Sequence, residues 1–183
     1  MAVPRHDAAE HLIRLLHYSH SCPNTSTYRH GLFADADGFL APLQGVALWI
    51  PPTKTAAQAI AGDDWQGVLS LSRLVVAPEV PTNGASFLMG RSMRLIDRDR
   101  WPVLVTYADT NQGHTGAIYK ATNWREDGPV PAGDVWETQG GQLVGRKRGR
   151  FTYTSDQMRG MGHVRRPSAP KIRFVHDVRK VPA

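Results

Sequence analysis

Residues 68–89 read VLSLSRLVVAPEVPTNGASFLM. The first nine are dense in Val and Leu, as expected of a buried central strand. The run stops at Pro78, and a polar turn containing Asn83-Gly84 follows. Apolar and small residues then recur at helical spacing, placing Ala85, Leu88, Met89, Ser92 and Leu95-Ile96 on one side of a helix. A helix N-terminus reached through Gly84, Ala85 and Ser86 offers unpaired backbone N–H groups and a favourable dipole to an anion. None of the three has the bulk to block a pyrophosphate. An ordinary strand–turn–helix connection has the same pattern, so the turn alone does not decide between them.

Working outward, residues 8–17 (AAEHLIRLLH) space Ala9, Leu12, Ile13 and Leu16 as one face of a short amphipathic helix. RHGLFAD and QGVALWIPP read as two strands around the loop ADADGFLAPL, with Pro51-Pro52 as a stop. KTAAQAIAG is an Ala-rich helix ending at Gly62. WPVLVTYAD is a second buried strand, GHTGAIYKATNW a short helix or turn, and KIRFVHDV a β-like run near the end. Helices alternating with strands in this order predict a mixed α/β or α+β sheet domain spanning residues 1–183.

The chain has 183 residues, five tryptophans and one cysteine, Cys22. That length suits one domain with a sizeable core. One cysteine excludes an internal disulfide and a multi-cysteine zinc site, and makes a reducing, cytoplasmic location the expectation. No apolar run approaches the ~20 residues of a membrane span. The formal charge of +6 is unevenly spread: residues 141–183 hold 11 Lys/Arg against 2 Asp/Glu, and residues 1–140 hold 11 against 14. A basic C-terminal section on an acidic body points to a polyanion such as nucleic acid, with a solvated basic tail as the plainer account. Within it, Lys147, Arg148, Arg150, Arg165 and Arg166 are interleaved with Phe151 and Tyr153, a pattern suited to phosphate contacts and base stacking.

Residues 103–124, VLVTYADTNQGHTGAIYKATNW, gather polar chemistry at a strand end. Asp109 there suits a base, an amine-orienting group or a metal ligand, and equally an Asx-turn beside Thr110 and Asn111. His114 sits in a Gly-rich turn, and Tyr119 is either a proton donor or a packed aromatic with a satisfied hydroxyl. His17 and Tyr18, after LIRLL, either close the first helix or join Asp109 as imidazole, phenol and carboxylate, with His20 and His30 nearby in sequence. Ser72 and Arg73 in a central strand imply an anionic partner or an internal ion pair. Asn123 has the chemistry to read an adenine edge, although packing beside Trp124 is the plainer role.

VAPEVPTNGASFLM resembles motif A of the GNAT acyltransferase superfamily, with Val76, Pro78, Glu79 and Gly84 on matching positions. Pro81 and Ser86 depart from the Arg/Gln-x-x-Gly-x-Gly/Ala loop of that family. HYS at 17–19, SRLVV at 72–76 and above all YADTNQGHTGAIYKATNW resemble more closely the Mom-type phage DNA-modification proteins, a divergent GNAT-like branch. The likeness runs from about residue 15 to 175. It implies a mixed, mostly antiparallel sheet flanked by helices, with a cleft between two splayed strands. It further implies conversion of adenine to N6-(carbamoylmethyl)adenine in double-stranded DNA, protecting phage DNA from restriction in the bacterial host. On this reading Val76, Asn83, Gly84, Ala85 and Ser86 hold acetyl-CoA or a related acyl-CoA. Asp109, Tyr119, His17 and Tyr18 form the catalytic pocket, with iron on His17, Tyr18 and Asp109 also entertained. Arg73, Asn123, Lys147, Arg148 and Arg150 are the expected substrate and DNA contacts. A target amine inside a duplex requires base flipping and an aromatic-lined pocket. The competing expectations are a conventional GNAT N-acetyltransferase using acetyl-CoA on a small-molecule or protein amine, and an inert DNA-binding or capsid-associated module.

Overall fold

The computed structural model describes residues 2–34, 41–131, 133–148 and 150–179. In chain order the elements are α1 (His6–Leu16), β1 (Tyr28–Phe33), β2 (Leu43–Ile50), α2 (Lys54–Ala61), β3 (Val68–Val76), α3 (Gly84–Leu95), β4 (Val103–Asp109) and α4 (Ala117–Lys120). They continue as β5 (Arg125–Val130), β6 (Val135–Glu137), β7 (Leu143–Val144), β8 (Lys147–Arg148), β9 (Phe151–Thr152), α5 (Ser155–Gly160), β10 (Val164–Arg166) and β11 (Lys171–Asp177). Six strands form one sheet in the order β1-β2-β3-β4-β11-β5. Every pairing in it is antiparallel except β3–β4. The expected mixed, mostly antiparallel sheet with flanking helices is what forms. Most of the loop expected at ADADGFLAPL lies outside the described residues.

Strand residues alternate between the two faces of the sheet, and the core divides accordingly. Ala47 and Trp49 of β2, Leu69 and Leu71 of β3, and Leu104 and Ala108 of β4 pack with Leu88 and Met89 of α3. The intervening Val46, Leu48 and Val75 take Ala9 and Ile13 of α1. Val68, Val103, Val105 and Val175 take Ala57 of α2. The predicted α3 face is correct for Leu88, Met89, Ser92 and Ile96, whereas Leu95 at the helix end is exposed.

The parallel pairing of β3 with β4 covers only Val68–Ser70 against Val103–Val105. Next in β3 comes a bulge: Leu71 faces Trp49 and Arg73 faces Leu48, so Ser72 has no partner on β2. A bulge bends its strand and increases the local twist. β3 therefore follows β2 away from β4, while β4 stays with β11 along its whole length. The cleft expected between splayed central strands is this gap.

The final strand, β11, is inserted between β4 and β5. Its fully buried Phe174 fixes the loop beyond β4. Gly116 adopts φ +76°, and a Cβ there would lie 2.2 Å from the Phe174 ring. Glycine alone combines that backbone conformation with that approach.

A buried polar network ties α3 to the first hairpin. Trp49 Nε1 donates to Ser92 Oγ at 2.7 Å, and His30 Nδ1 lies 2.7 Å from the same oxygen. Burial keeps His30 below the usual histidine pKa, so the hydroxyl donates to a neutral imidazole. His30 is thus a core residue. Ser92→Ala leaves the indole N–H without an acceptor, and the expected cost is about 1–3 kcal/mol, read as a lower midpoint with unchanged slope in urea unfolding.

Candidate active site at the splayed strands

A cavity of about 400 Å³ occupies the gap and passes through the sheet. On the α3–α4 side it is lined by Ala85, Thr106, Ile118 and Tyr119, and on the opposite side by His17, Tyr18 and Tyr107. Strand alternation produces this division: Thr106 and Ala108 face α4, while Tyr107 and Asp109 face away. Tyr119 therefore lines the cavity from one face of the sheet, and Asp109 lies on the other face, reaching it through Tyr18.

Asp109 ends β4 and is 7% exposed. Its Oδ1 accepts the Asn111 N–H at 3.1 Å, so the Asx-turn is real. The other oxygen takes a cation and a phenol: Lys171 Nζ lies 3.1 Å from Oδ2, and the Tyr18 hydroxyl donates to it at 3.4 Å. Lys171 is the cross-strand partner of Asp109 on β11. Burial alone would raise the carboxyl pKa. Lys171, the Asn111 amide and Tyr18 outweigh it and hold Asp109 below the ordinary range, as a carboxylate.

His17 and Tyr18 reach this point because α1 ends at Leu16 and the chain turns sharply. His20 takes φ +46° and its Nδ1 donates to the Arg14 carbonyl at 2.8 Å. Arg73 secures the turn from β3, donating through Nε to the Ser21 carbonyl at 2.8 Å and through Nη2 to Ser21 Oγ at 3.1 Å. Its Nη1 donates to the Ser72 carbonyl at 2.7 Å. The structure spends this guanidinium on holding the turn rather than presenting it to substrate. The His17 ring stacks on Tyr18 at 4.4 Å, and Tyr18 meets His114 edge-on at 5.5 Å. His17 Nδ1 accepts the Ser19 N–H at 3.2 Å. Burial, then the nearby Arg73 charge, lower the His17 pKa to about 4, so the imidazole is neutral near pH 7. Burial and the Asp109 charge raise Tyr18 above the usual phenol value.

Tyr119 packs against Phe174 and Trp124, with its hydroxyl hydrogen-bonded to Thr106. Burial raises its pKa, so the phenol keeps its proton.

The N-terminus of α3 divides the through-sheet cavity from a groove of about 700 Å³ between α3 and α4. Ala85 lines the cavity, and Asn83 and Ser86 line the groove with Arg91, Arg94 and Arg98. Gly84 N–H bonds to the Pro81 carbonyl and Phe87 N–H to that of Asn83. Among the described residues, the N–H groups of Ala85 and Ser86 have no acceptor, and Asn83 makes no side-chain cap. Arg98 likewise keeps buried Nε and Nη1 atoms without an acceptor. Cationic donors in a groove that opens at a helix N-terminus fit the pyrophosphate and phosphate of a coenzyme A thioester. Gly84 itself is demanded by packing, since a Cβ would lie 2.0 Å from Val80 Cγ1. Val76 packs into the core cluster rather than into the groove.

Asn123, at φ +63°, lines the α3–α4 groove and is not among the residues around Asp109. Of the 11 basic residues in 141–183, Arg159, Arg165, Arg166, Lys171, Arg173 and Arg179 are ion-paired to acidic residues of the domain. Arg165 and Arg166 pair with Asp134 and Glu137 while their side chains stay more than half exposed. Arg150 and Phe151 are exposed on the short β8–β9 hairpin, with Phe151 75% exposed. The side chains of Lys147 and Arg148 lie outside the described residues.

Iron on His17, Tyr18 and Asp109 would meet a carboxylate engaged at both oxygens, where it would have to displace the Lys171 ammonium, while His17, bonded through Nδ1, leaves Nε2 without a hydrogen bond among the described residues. Among the described residues no three His, Cys, Asp or Glu are gathered as a metal site. No helix there is long and apolar enough to cross a membrane. Sequence reasoning missed Lys171, Thr106 and Tyr107, whose place at the gap depends on long-range register that no local pattern carries.

Among solved structures, the chain is similar to a Bacillus subtilis acetyltransferase in complex with CoA, at 8% identity and TM-score 0.54, covering 97% of this chain and 96% of that one. It is also similar to the Escherichia coli ribosomal-protein-S18-alanine N-acetyltransferase, at 10% identity and TM-score 0.52, covering 99% and 94%. A Salmonella typhimurium acetyltransferase with acetyl-CoA matches at 12% identity and TM-score 0.47 over 82% of this chain, which spans 65% of that protein. No curated protein matches the chain in sequence. The first two likenesses show a GNAT-like fold. The Mom protein family matches residues 1–131, and with the YAD aspartate and the HYS turn brought together at the strand gap, the chain belongs to that family.

Proposed function

We propose that the protein transfers a carbamoylmethyl group to N6 of adenine in double-stranded DNA. The observation that carries this reading is the ionised, largely buried Asp109 carboxylate beside Tyr18, on the face of the sheet opposite the α3 N-terminus. The gap gives two reactants separate approaches to one point. A coenzyme A thioester would be held in the α3–α4 groove by the Ala85 and Ser86 N–H groups and by Arg91, Arg94 and Arg98. When bound it supplies the activated carbon. The chain's own residues act on the acceptor: Asp109 accepts a hydrogen bond from the adenine amine and would take its proton as N6 bonds to the thioester carbonyl carbon, the carbon–sulfur bond breaks and the thiolate leaves. This places an acyl group on N6; a glycyl group so placed is an isomer of carbamoylmethyl and needs only rearrangement, with no further reactant. Tyr119 holds a proton at Oη on the donor side. Neutral His17, stacked on Tyr18, fixes the phenol that orients Asp109. Arg150 and exposed Phe151 support contact with the duplex, the cation at phosphates and the ring at bases.

Nucleoside mass spectrometry of plasmid DNA from expressing cells tests the reaction. Wild type should yield adenosine with the carbamoylmethyl mass increment, and Asp109→Ala should lower its yield by at least about 100-fold. Unmodified DNA from folded, well-expressed wild type would sink the reading and turn attention to other amines.

The ionisation of Asp109 has its own test. A carboxyl whose folded pKa lies below its unfolded value of about 4 stabilises the protein above that value, and the contribution disappears as pH falls through the folded pKa. Lys171→Met removes the principal stabilising cation. The Asp109 carboxyl should then titrate at higher pH in a ¹³C NMR titration, and acid unfolding should begin earlier. An unchanged Asp109 titration would show that Lys171 does not set its charge.

A further inference from the structure

On the far side of Tyr18 from the strand gap lies a second cavity of about 600 Å³, bounded by β4, β5, β6 and the strand-like segment before β11. It shares only Tyr18 and Tyr107 with the through-sheet cavity, and Asp109 and Lys171 belong to its lining. Val130, Pro131, Val135, Leu143 and Pro167 supply the apolar part of the remaining wall. Such a volume, with aromatic and aliphatic walls beside polar side chains that include Asp109, Asn111, Gln112 and Glu137, suits a flat heterocycle carrying its sugar. We propose that this cavity receives the extruded adenine, and that the Gln112 side-chain amide reads its N6/N7 edge. The proposal rests on the reading of adenine as the acceptor and assigns the place and the residue that select it.

Two amides approach the cavity, and only one is available. Asn111 Nδ2 donates to Ser168 Oγ at 2.7 Å, and its Oδ1 accepts the Ala169 N–H at 3.2 Å, so it clamps the 168–169 segment. The Gln112 amide makes no hydrogen bond among the described residues. It ends the 3-10 turn that begins one residue after Asp109, and both residues line the same cavity. A glutamine amide matches adenine in bidentate fashion, accepting from N6–H and donating to N7. The adenine amine carries two hydrogens. Gln112 takes the one on the N7 side and leaves the other for Asp109, so the residue that recognises the base also aims the amine at its acceptor carboxylate. Guanine presents a carbonyl where Gln112 and Asp109 both need a donor, and is rejected by two acceptors at once. Lys171 and Arg166 stand at the same cavity as cations that the departing sugar-phosphate would meet, although Arg166 is paired to Glu137.

The test uses the full chain and short single-stranded oligonucleotides, in which no flipping cost obscures the base contact. One carries a single adenine among thymines, a second 7-deazaadenine at that position, and a third guanine. The side-chain ¹⁵N–¹H pair of Gln112 should shift with the adenine oligonucleotide and saturate. The 7-deaza and guanine forms should bind at least about 5-fold more weakly, the lower end of a bidentate contact. Gln112→Ala should lose the preference for adenine over 7-deazaadenine while Asp109 titrates as in wild type, an outcome that general unfolding cannot produce. Equal binding of adenine and 7-deazaadenine by wild type, a Gln112 amide that does not shift, or a preference that survives Gln112→Ala would each overturn the assignment. Adenine capture at Gln112 without any modified adenosine in cells would sink the reaction and leave the pocket. Modified adenosine without base-selective capture would do the reverse.

Discussion

The separation of β3 from β4 is the constraint on which the site depends. Parallel pairing stops after three residues a side, and the bulge at Ser72 commits β3 to β2. Main-chain groups facing the gap are then left out of the ladder, which a protein interior tolerates only where water or a ligand reaches them. The same divergence opens a route between the two faces of the sheet. Without it, Tyr119 and Asp109 would be separated by a closed layer of backbone, because their anchoring residues, Thr106 and Asp109, point in opposite directions.

What stands around the gap is held by long-range pairing rather than by local preference. Asp109 is held below the ordinary carboxyl range first by Lys171, which β11 places opposite it. Tyr18 reaches Asp109 because Arg73 grips Ser21 and because His20 accepts a strained backbone while closing the end of α1. Backbone strain of this kind persists where surrounding contacts over-determine it. Arg73 contributes by fixing geometry, with its donors consumed within the protein.

Much of the architecture was readable from the sequence. The strand at β2 stopped by Pro51-Pro52, the apolar run of β3 and the N-terminus of α3 each follow from local pattern. So does the polar cluster after Val103–Tyr107, which predicted a turn at Asp109, and the Asx-turn is present. Pairing partners were not readable. KIRFVHDV announces a strand, but nothing in it says that the strand enters beside β4 instead of lying at an edge. The charge split was visible, whereas its internal pairing was not: Arg165 and Arg166 read as phosphate contacts, and only the pairing of β10 with β6 shows Asp134 and Glu137 meeting them. The opposed directions of Asp109 and Tyr119 follow from counting along β4 once Thr106 is known to contact Tyr119.

The position of β11 also bears on how the site is put together. Residues 171–177 lie between β4 and β5, strands synthesised long before them. Without β11 the strands on either side would leave an open seam, and Gly116 would lack the Phe174 ring against which its turn is built. The same strand brings Lys171 to Asp109. Closure of the sheet, seating of the loop and pairing of the carboxylate with its cation therefore all depend on one strand, β11.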